Sequence, residues 1–173
     1  MQILTPKARY FWPWLLILFV TDCSTKDLAV EHLSRAALPR PVIDSFVRLT
    51  LAHNPGTAFG FDIRPYVGDW ARPLIIACMS LILVVLFRIY SSAAPRARLT
   101  AAALGLAAGG AMGNIFDRIR FRAGVVDFID VGIAGHRFWV FNVADAGVAI
   151  GALILAFTFL RAAPDASPSQ PAV

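Results

Sequence analysis

Residues 99–116 read LTAAALGLAAGGAMGNIF, eighteen positions without a single charge. At 1.5 Å per residue such a helix covers most of a hydrocarbon layer about 30 Å thick, so the stretch predicts a membrane span. Gly105, Gly109 and Gly113 recur every four residues, with Ala101 one step earlier. Residues at that spacing share one helix face, and a face without side chains lets a second helix approach closely. The stripe asks only for helix packing, and it sets this span at the centre of a bundle.

Working outward, three further runs have the same character: about Phe11 to Val30, Pro73 to Tyr90, and Phe138 to Leu160. The first turns polar in its second half. The second is short, but Arg72 and Arg88 flank it and can snorkel from its ends. The fourth is interrupted by one acid, Asp145. The composition agrees: 58% of the 173 residues are hydrophobic and 16% charged, with a mean hydropathy of +0.66. A soluble domain of this length cannot hide that much apolar surface from water. The expectation is an all-α membrane protein of four transmembrane helices in one domain, residues 1–163. A Pro/Ser/Ala-rich disordered tail, 164–173, follows it. Lys7 and Arg9 before an apolar run resemble the start of a signal peptide. No small-residue cleavage site follows, so the segment is expected to stay as the first span.

An even number of spans puts both termini on one side. The compact turn from 88 to 98 carries Arg88, Arg96 and Arg98 and no acid, which argues for the cytoplasmic side. The longer connections, 31–71 and 118–137, hold more Arg in total, diluted over more chain. A net charge of +5 fits flanks that meet lipid headgroups. No basic stripe with interleaved aromatics lies on a polar element, so no nucleic-acid partner is expected. Residues 42–61 mix β-branched and aromatic residues with a Pro-Gly signal and predict short strands around a turn; 121–131 predict another strand.

An ionisable side chain at bilayer depth is costly and is a functional candidate by default. Here these are Asp22, Lys26, Asp117, Arg118, Asp127 and Asp145, with Asn54, Asn114 and Asn142 as polar companions. Nearly all lie where a span meets one of the longer connections, so one membrane face collects the polar chemistry. Counted from Trp139, Asp145 lies about 9 Å into the fourth helix, and Asn142 shares its face. It reads either as half of an ion pair with an Arg or as a catalytic acid. Asp127, between Val126 and Phe128, reads either as a surface acid of a strand or as its partner. Two carboxylates in a site of low dielectric cannot easily both ionise. One keeps its proton, and the pair can divide general-base and general-acid work on a bound water. His32, His53 and His136 are scattered, with no two spaced for one helix face, and Ser24 and Ser80 lack an evident base. Cys23 and Cys78 form neither a metal pair nor a disulfide framework. Asp22 and Lys26 stand at i and i+4 and can neutralise one another. A proton-coupled transporter or channel subunit is the rival reading, with acids strung along a transmembrane path. A structural assembly factor that uses the glycine stripe for partner binding is another.

Five blocks in order resemble the type II (lipoprotein) signal peptidases over roughly residues 11–160. They are Asp22-Cys23-Ser24-Thr25-Lys26, Asn54-Pro55-Gly56-Thr57-Ala58-Phe59-Gly60, Gly109 to Arg118, Val125-Val126-Asp127-Phe128, and Phe141-Asn142-Val143-Ala144-Asp145. The resemblance implies four membrane helices with a small extracytoplasmic β-cradle. It implies a bacterial inner-membrane location with both termini cytoplasmic and the site near the extracytoplasmic face. It implies an aspartic endopeptidase with Asp127 and Asp145 as catalytic dyad. Asn54, Gly110, Asn114, Arg118 and Asn142 match substrate-pocket positions, and Asp22, Lys26 and Asp117 supporting ones. The implied substrate is a diacylglyceryl-modified prolipoprotein, cut just before the lipidated cysteine. No cofactor or metal is implied. Membrane lipids are the other partners, a monomer is the expected form, and globomycin-type peptides inhibit the family. Cys23 stands where the family commonly has Gln, which leaves the hydrogen bonding of the first block open. Which aspartate starts protonated is also open.

Overall fold

In a computed structural model, residues 5–34, 38–57, 61–133 and 135–162 are described. The expected tail at 164–173 and Ala58-Phe59-Gly60 of the second block lie outside them. Five helices and four strands follow in the order α1 (Ala8–Leu33), β1 (Arg40–Ile43), β2 (Val47–Asn54), α2 (Arg64–Val67), α3 (Ala71–Ser92), α4 (Arg98–Arg120), β3 (Val125–Ile133), β4 (His136–Arg137) and α5 (Val143–Ala162). A single turn of 3₁₀ helix, Gly68–Trp70, joins α2 to α3. Among the described residues, three segments are long and apolar enough to cross a membrane: Arg64–Ser92, Arg98–Arg120 and Val143–Arg161. Helix α1 has 26 residues, ample length for a span, but Asp22, Lys26 and Asp27 dilute its apolar character.

The glycine stripe does what its spacing demands. Helix α4 is the buried centre, and its small residues admit a neighbour on each side. A Cβ at Gly109 would stand 2.5 Å from the Leu15 carbonyl oxygen of α1, and one at Gly105 would strike that of Phe11. On the α5 side, a Cβ at Gly110 would stand 2.5 Å from the carbonyl oxygen of Ala144, and one at Gly151 of α5 would stand 2.7 Å from that of Ala103. Backbone so close leaves no room for side chains, so dispersion contacts between main chains replace them. Phe11, Leu15, Ala101, Leu104 and Ala108 form the resulting core. Helix α3 is peripheral: only Ala71 and Ile75 are buried, and Leu74, Leu81, Ile82, Val84 and Val85 face outward. Basic side chains tie helix ends together. Lys7 donates to the carbonyls of Tyr90, Ser91 and Ala93 at the end of α3 (2.8–2.9 Å), and Arg72 to those of Arg118 and Ile119 at the end of α4. These are the carbonyls a helix leaves unpaired, at its negative end.

The strands form one antiparallel sheet in the order β1-β2-β3-β4. The hairpin turn falls at Asp44–Phe46, with Asp44 at φ 43°, and not at Pro55-Gly56, which instead opens the loop after β2. Asp130 of β3 fastens three strands by accepting from Arg48 of β2 and Arg137 of β4. Burial pushes this carboxyl up, but the two guanidiniums outweigh it and hold it below the ordinary aspartate range. Phe128 seats the sheet on Ala29 and Leu33 near the end of α1.

The last helix begins five residues later than the hydropathy suggests. Phe138 to Phe141 do not join α5. Phe138 donates to Val131 O, and Phe141 exchanges backbone bonds with Ile129 at 2.8 and 3.0 Å. Aromatic and β-branched residues pair well on a sheet, and Asn142 then caps the helix. Asp145 is therefore in the first turn of α5, not about 9 Å along it.

The close α1–α4 contact yields a direct test. Gly109→Val should lower unfolding stability in detergent by about 1–3 kcal/mol through overpacking, while Val at exposed Ala149 should change it by less than about 0.5. Thermal melts of the two variants would check this.

Candidate active site

Asp127 and Asp145 arrive from different elements and meet through one side chain. Strand β3 carries Asp127 directly after α4, and the backbone pairing of Phe141 with Phe128 and Ile129 lays the start of α5 beside it. Asn142 stands at the junction. Its side-chain oxygen accepts from the backbone N–H of Asp145 at 2.9 Å, while its own backbone N–H donates to Asp145 Oδ2 at 3.2 Å. That reciprocal pair is a capping box, a cap residue and the third residue of the helix satisfying one another's free donors. The Asn142 amide then reaches Asp127 Oδ1 at 2.6 Å. One asparagine thus binds both carboxylates.

Asn114 of α4 completes the ring. It donates from Nδ2 to Asp145 Oδ1 at 2.8 Å and accepts at Oδ1 from Asn142 at 3.1 Å and Lys26 at 2.8 Å. Lys26 ion-pairs with Asp22 at 2.7 Å, as the i, i+4 spacing predicts, and also with Asp117 at 3.1 Å. Asp22 accepts from the Ala144 N–H and Asp117 from that of Val126. Arg118 donates to Asn114 O and, at 2.7 Å, to Gly56 O of the loop after β2. Asn54 holds that same loop, accepting from Gly56 N and donating to Thr57 O.

The electrostatics follow from burial. Asp127 is only 3% exposed. Desolvation, reinforced by the nearby charge of Asp145, raises its pKa from 3.8 to about 7 against the hydrogen bonds that favour its anion. It is no surface acid of a strand. Asp145 has no ion-pair partner among the described residues; its contacts are amide donors. A cavity of about 340 Å³ opens on Asp127, with Asn54, Gly56, His53, Arg64 and Trp139 in its walls. A second, of about 300 Å³, lies between Leu33, Leu38 and Leu51 and touches neither aspartate.

Of the expected residues, nine gather in this connected network. The tenth, Gly110, is buried against Ala144 and Val148, where it admits α5 to α4. Of the cavity residues, His53 reads as a scattered histidine and Trp139 is given no role, while Asp62 and Arg64 went unnoticed in the sequence. So did the capping box, although Asn142-x-x-Asp145 ahead of an apolar run is its recognised signature.

This constellation, one buried and one half-buried carboxylate bridged by an asparagine on a helical membrane bundle, can be set beside known proteins. The sequence pattern described as "Signal peptidase (SPase) II" matches residues 14–161. The chain belongs to this family. A lipoprotein signal peptidase of Cellvibrio japonicus is 36% identical over 159 residues, covering 88% of this chain and 89% of its own. One from Coxiella burnetii is 32% identical over 171 residues, covering 96% and 100%. A solved structure titled "Bacterial membrane enzyme structure by the in meso method at 2.3 A resolution" superposes with a TM-score of 0.75 at 25% identity, covering 91% of each chain. A second of that series, at 1.9 Å, gives 0.74 at 26% identity, covering 87% of this chain and 92% of its own. As a signal peptidase II, the chain is a peptidase with membrane-spanning helices and a small antiparallel sheet.

Replacing Asn142 by Leu removes the helix cap and strands the donors and acceptors it served. The expected loss is about 2–3 kcal/mol, read as a lower midpoint in detergent melts.

Proposed function

We propose that the chain is an intramembrane aspartic endopeptidase. It cleaves the signal peptide from diacylglyceryl-modified prolipoproteins, just before the lipidated cysteine. The observation that carries the chemistry is the Asn142 bridge between two carboxylates in unlike surroundings. Asp145 accepts hydrogen bonds on both oxygens, the contacts of an anion. Asp127, with its raised pKa, holds the shared proton.

Asp145 takes a proton from water, which attacks the scissile carbonyl carbon, while Asp127 gives its proton to the carbonyl oxygen. The tetrahedral intermediate then returns a proton to Asp127. Asp145 passes its proton to the leaving nitrogen as the C–N bond breaks. Arg118 supports a substrate role: it is 5% exposed and its Nε–H is a buried donor without a partner among the described residues. Such a donor beside the carboxylates suits a substrate carbonyl. Asn54 and Gly56, in the cavity wall, frame the same approach.

The wider arrangement belongs to this reading as well. Helix α1 is the fourth span, its polar half buried against α4. Both termini are cytoplasmic in the bacterial inner membrane, and the sheet is an extracytoplasmic cradle. The working form is a monomer among membrane lipids, open to inhibition by globomycin-type peptides. The ion-relay rival has no support, since the acids gather at one end of the bundle instead of along a path.

With purified protein in detergent and a diacylglyceryl prolipoprotein, cleavage should survive a chelator. It should fall by at least about a thousandfold in Asp127→Asn and in Asp145→Asn; cleavage retained by either variant would reject the dyad. The pH dependence has a definite sign. Below about 7 Asp127 keeps the proton it must donate, so kcat should decline as pH rises through that value. Because the folded pKa lies above 3.8, stability should also drop as pH climbs from about 4 towards about 7. Asp127→Asn should flatten that slope in pH-dependent melts.

A further inference from the structure

Lys26 is 2% exposed and absent from the cavity wall, yet it sits at the centre of the polar network. Its ammonium ion-pairs with Asp22 Oδ2 at 2.7 Å and with Asp117 Oδ2 at 3.1 Å, and donates to Asn114 Oδ1 at 2.8 Å. Each of the two acids has a second task. Asp22 Oδ1 accepts from Ala144 N at 2.8 Å, the residue before Asp145, and Asp117 Oδ2 from Val126 N at 3.0 Å, the residue before Asp127.

We infer that Lys26 is a positioning residue that fastens two backbone clamps, one immediately ahead of each catalytic aspartate, into a single register. The inference rests on Asp127 and Asp145 being the dyad.

Three features argue for positioning over mere charge neutralisation. A buried ion pair is in general replaceable by apolar residues of similar volume, but these carboxylates also hold main-chain N–H groups that apolar residues would leave unpaired. The two clamped amides lie on separate elements, β3 and α5, and through Lys26 neither can shift without the other. The Lys26 donor on Asn114 Oδ1 also settles which end of that amide is NH₂, and so turns Nδ2 towards Asp145. The enclosure is tight, since a Cβ at Gly113 would strike Asp22 Oδ2. Carboxylates that share a water and a proton need placement within about 0.5 Å, and this lysine supplies it without touching substrate.

The test is steady-state cleavage of a diacylglyceryl prolipoprotein by full-length variants in detergent, with kcat and KM resolved. Lys26→Gln should lower kcat about a hundredfold and leave KM within about twofold. Asp22→Asn keeps an acceptor for the Ala144 N–H and should retain about a tenth of wild-type kcat. Asp22→Leu keeps none and should fall about a hundredfold or more. Both substitutions remove the charge, so a role in neutralisation alone predicts equal losses. Equal kcat for the two Asp22 variants, a loss carried by KM, or kcat within threefold of wild type in Lys26→Gln would overturn the inference. Should Lys26→Gln fail to melt cooperatively, the Asp22 pair decides. Asp127→Asn and Asp145→Asn run alongside: cleavage by either rejects the dyad itself, whereas their inactivity beside an unimpaired Lys26→Gln rejects only the clamp.

Discussion

The hydrogen bonds of Asn142 are the constraint on which the site is built. An asparagine at a helix start ordinarily satisfies one free N–H and no more. Here the cap, the first turn of α5 and the end of a neighbouring strand are organised around one amide. The same bonds that begin the helix bring two acids together. Separating them would cost a cap, a strand contact and the desolvated proton at once, so fold and chemistry share their determinants at this point. Helix α4 makes the arrangement possible from behind. Only a helix almost without side chains along two faces lets α1 and α5 approach closely enough for Asp22 to reach the Ala144 backbone.

The asymmetry between the acids follows from their supports. Asp145 sits at a helix N-terminus, where backbone donors and the helix dipole favour negative charge. Asp127 sits in a strand between Val126 and Phe128, both buried, where desolvation and the charge of Asp145 outweigh the Asn142 and Asn54 amides that favour an anion. In the proposed mechanism, two chemically identical side chains are thereby given different tasks by their surroundings.

Much of this was legible in the amino-acid string because the membrane magnifies physical costs. An uncharged run with glycine every fourth residue has few other uses than a central span, and α4 is that. Acids beside apolar runs stand out because hydrocarbon penalises them, and Asp22, Asp117, Asp127 and Asp145 all proved to belong to one network. The features that local pattern does not reach share a cause. Hydropathy cannot distinguish an apolar strand from an apolar helix over four residues, so Phe138–Phe141 read as helix until their pairing with β3 was seen. Gly110 lay in a block of matching residues, but whether a glycine faces a cavity or a neighbouring backbone depends on helix rotation, which no local pattern records. The contacts Lys26 makes outside its own helix, and the arginines that converge on Asp130, link residues far apart in the chain, and only the assembled fold brings them together.

The start of α5 has one more consequence. Because Asp145 stands in its first turn and Asp127 in the adjoining strand, the two carboxylates of the proposed dyad sit at the rim of the bundle and not within it. In the proposed function, a substrate helix lying alongside then has to unwind at that level before a peptide bond can present itself. The apolar segment that precedes the bond is then gauged by its length as much as by its residues. In that sense the enzyme is a depth gauge whose zero mark is the point where backbone pairing with β3 stops and one asparagine begins a helix.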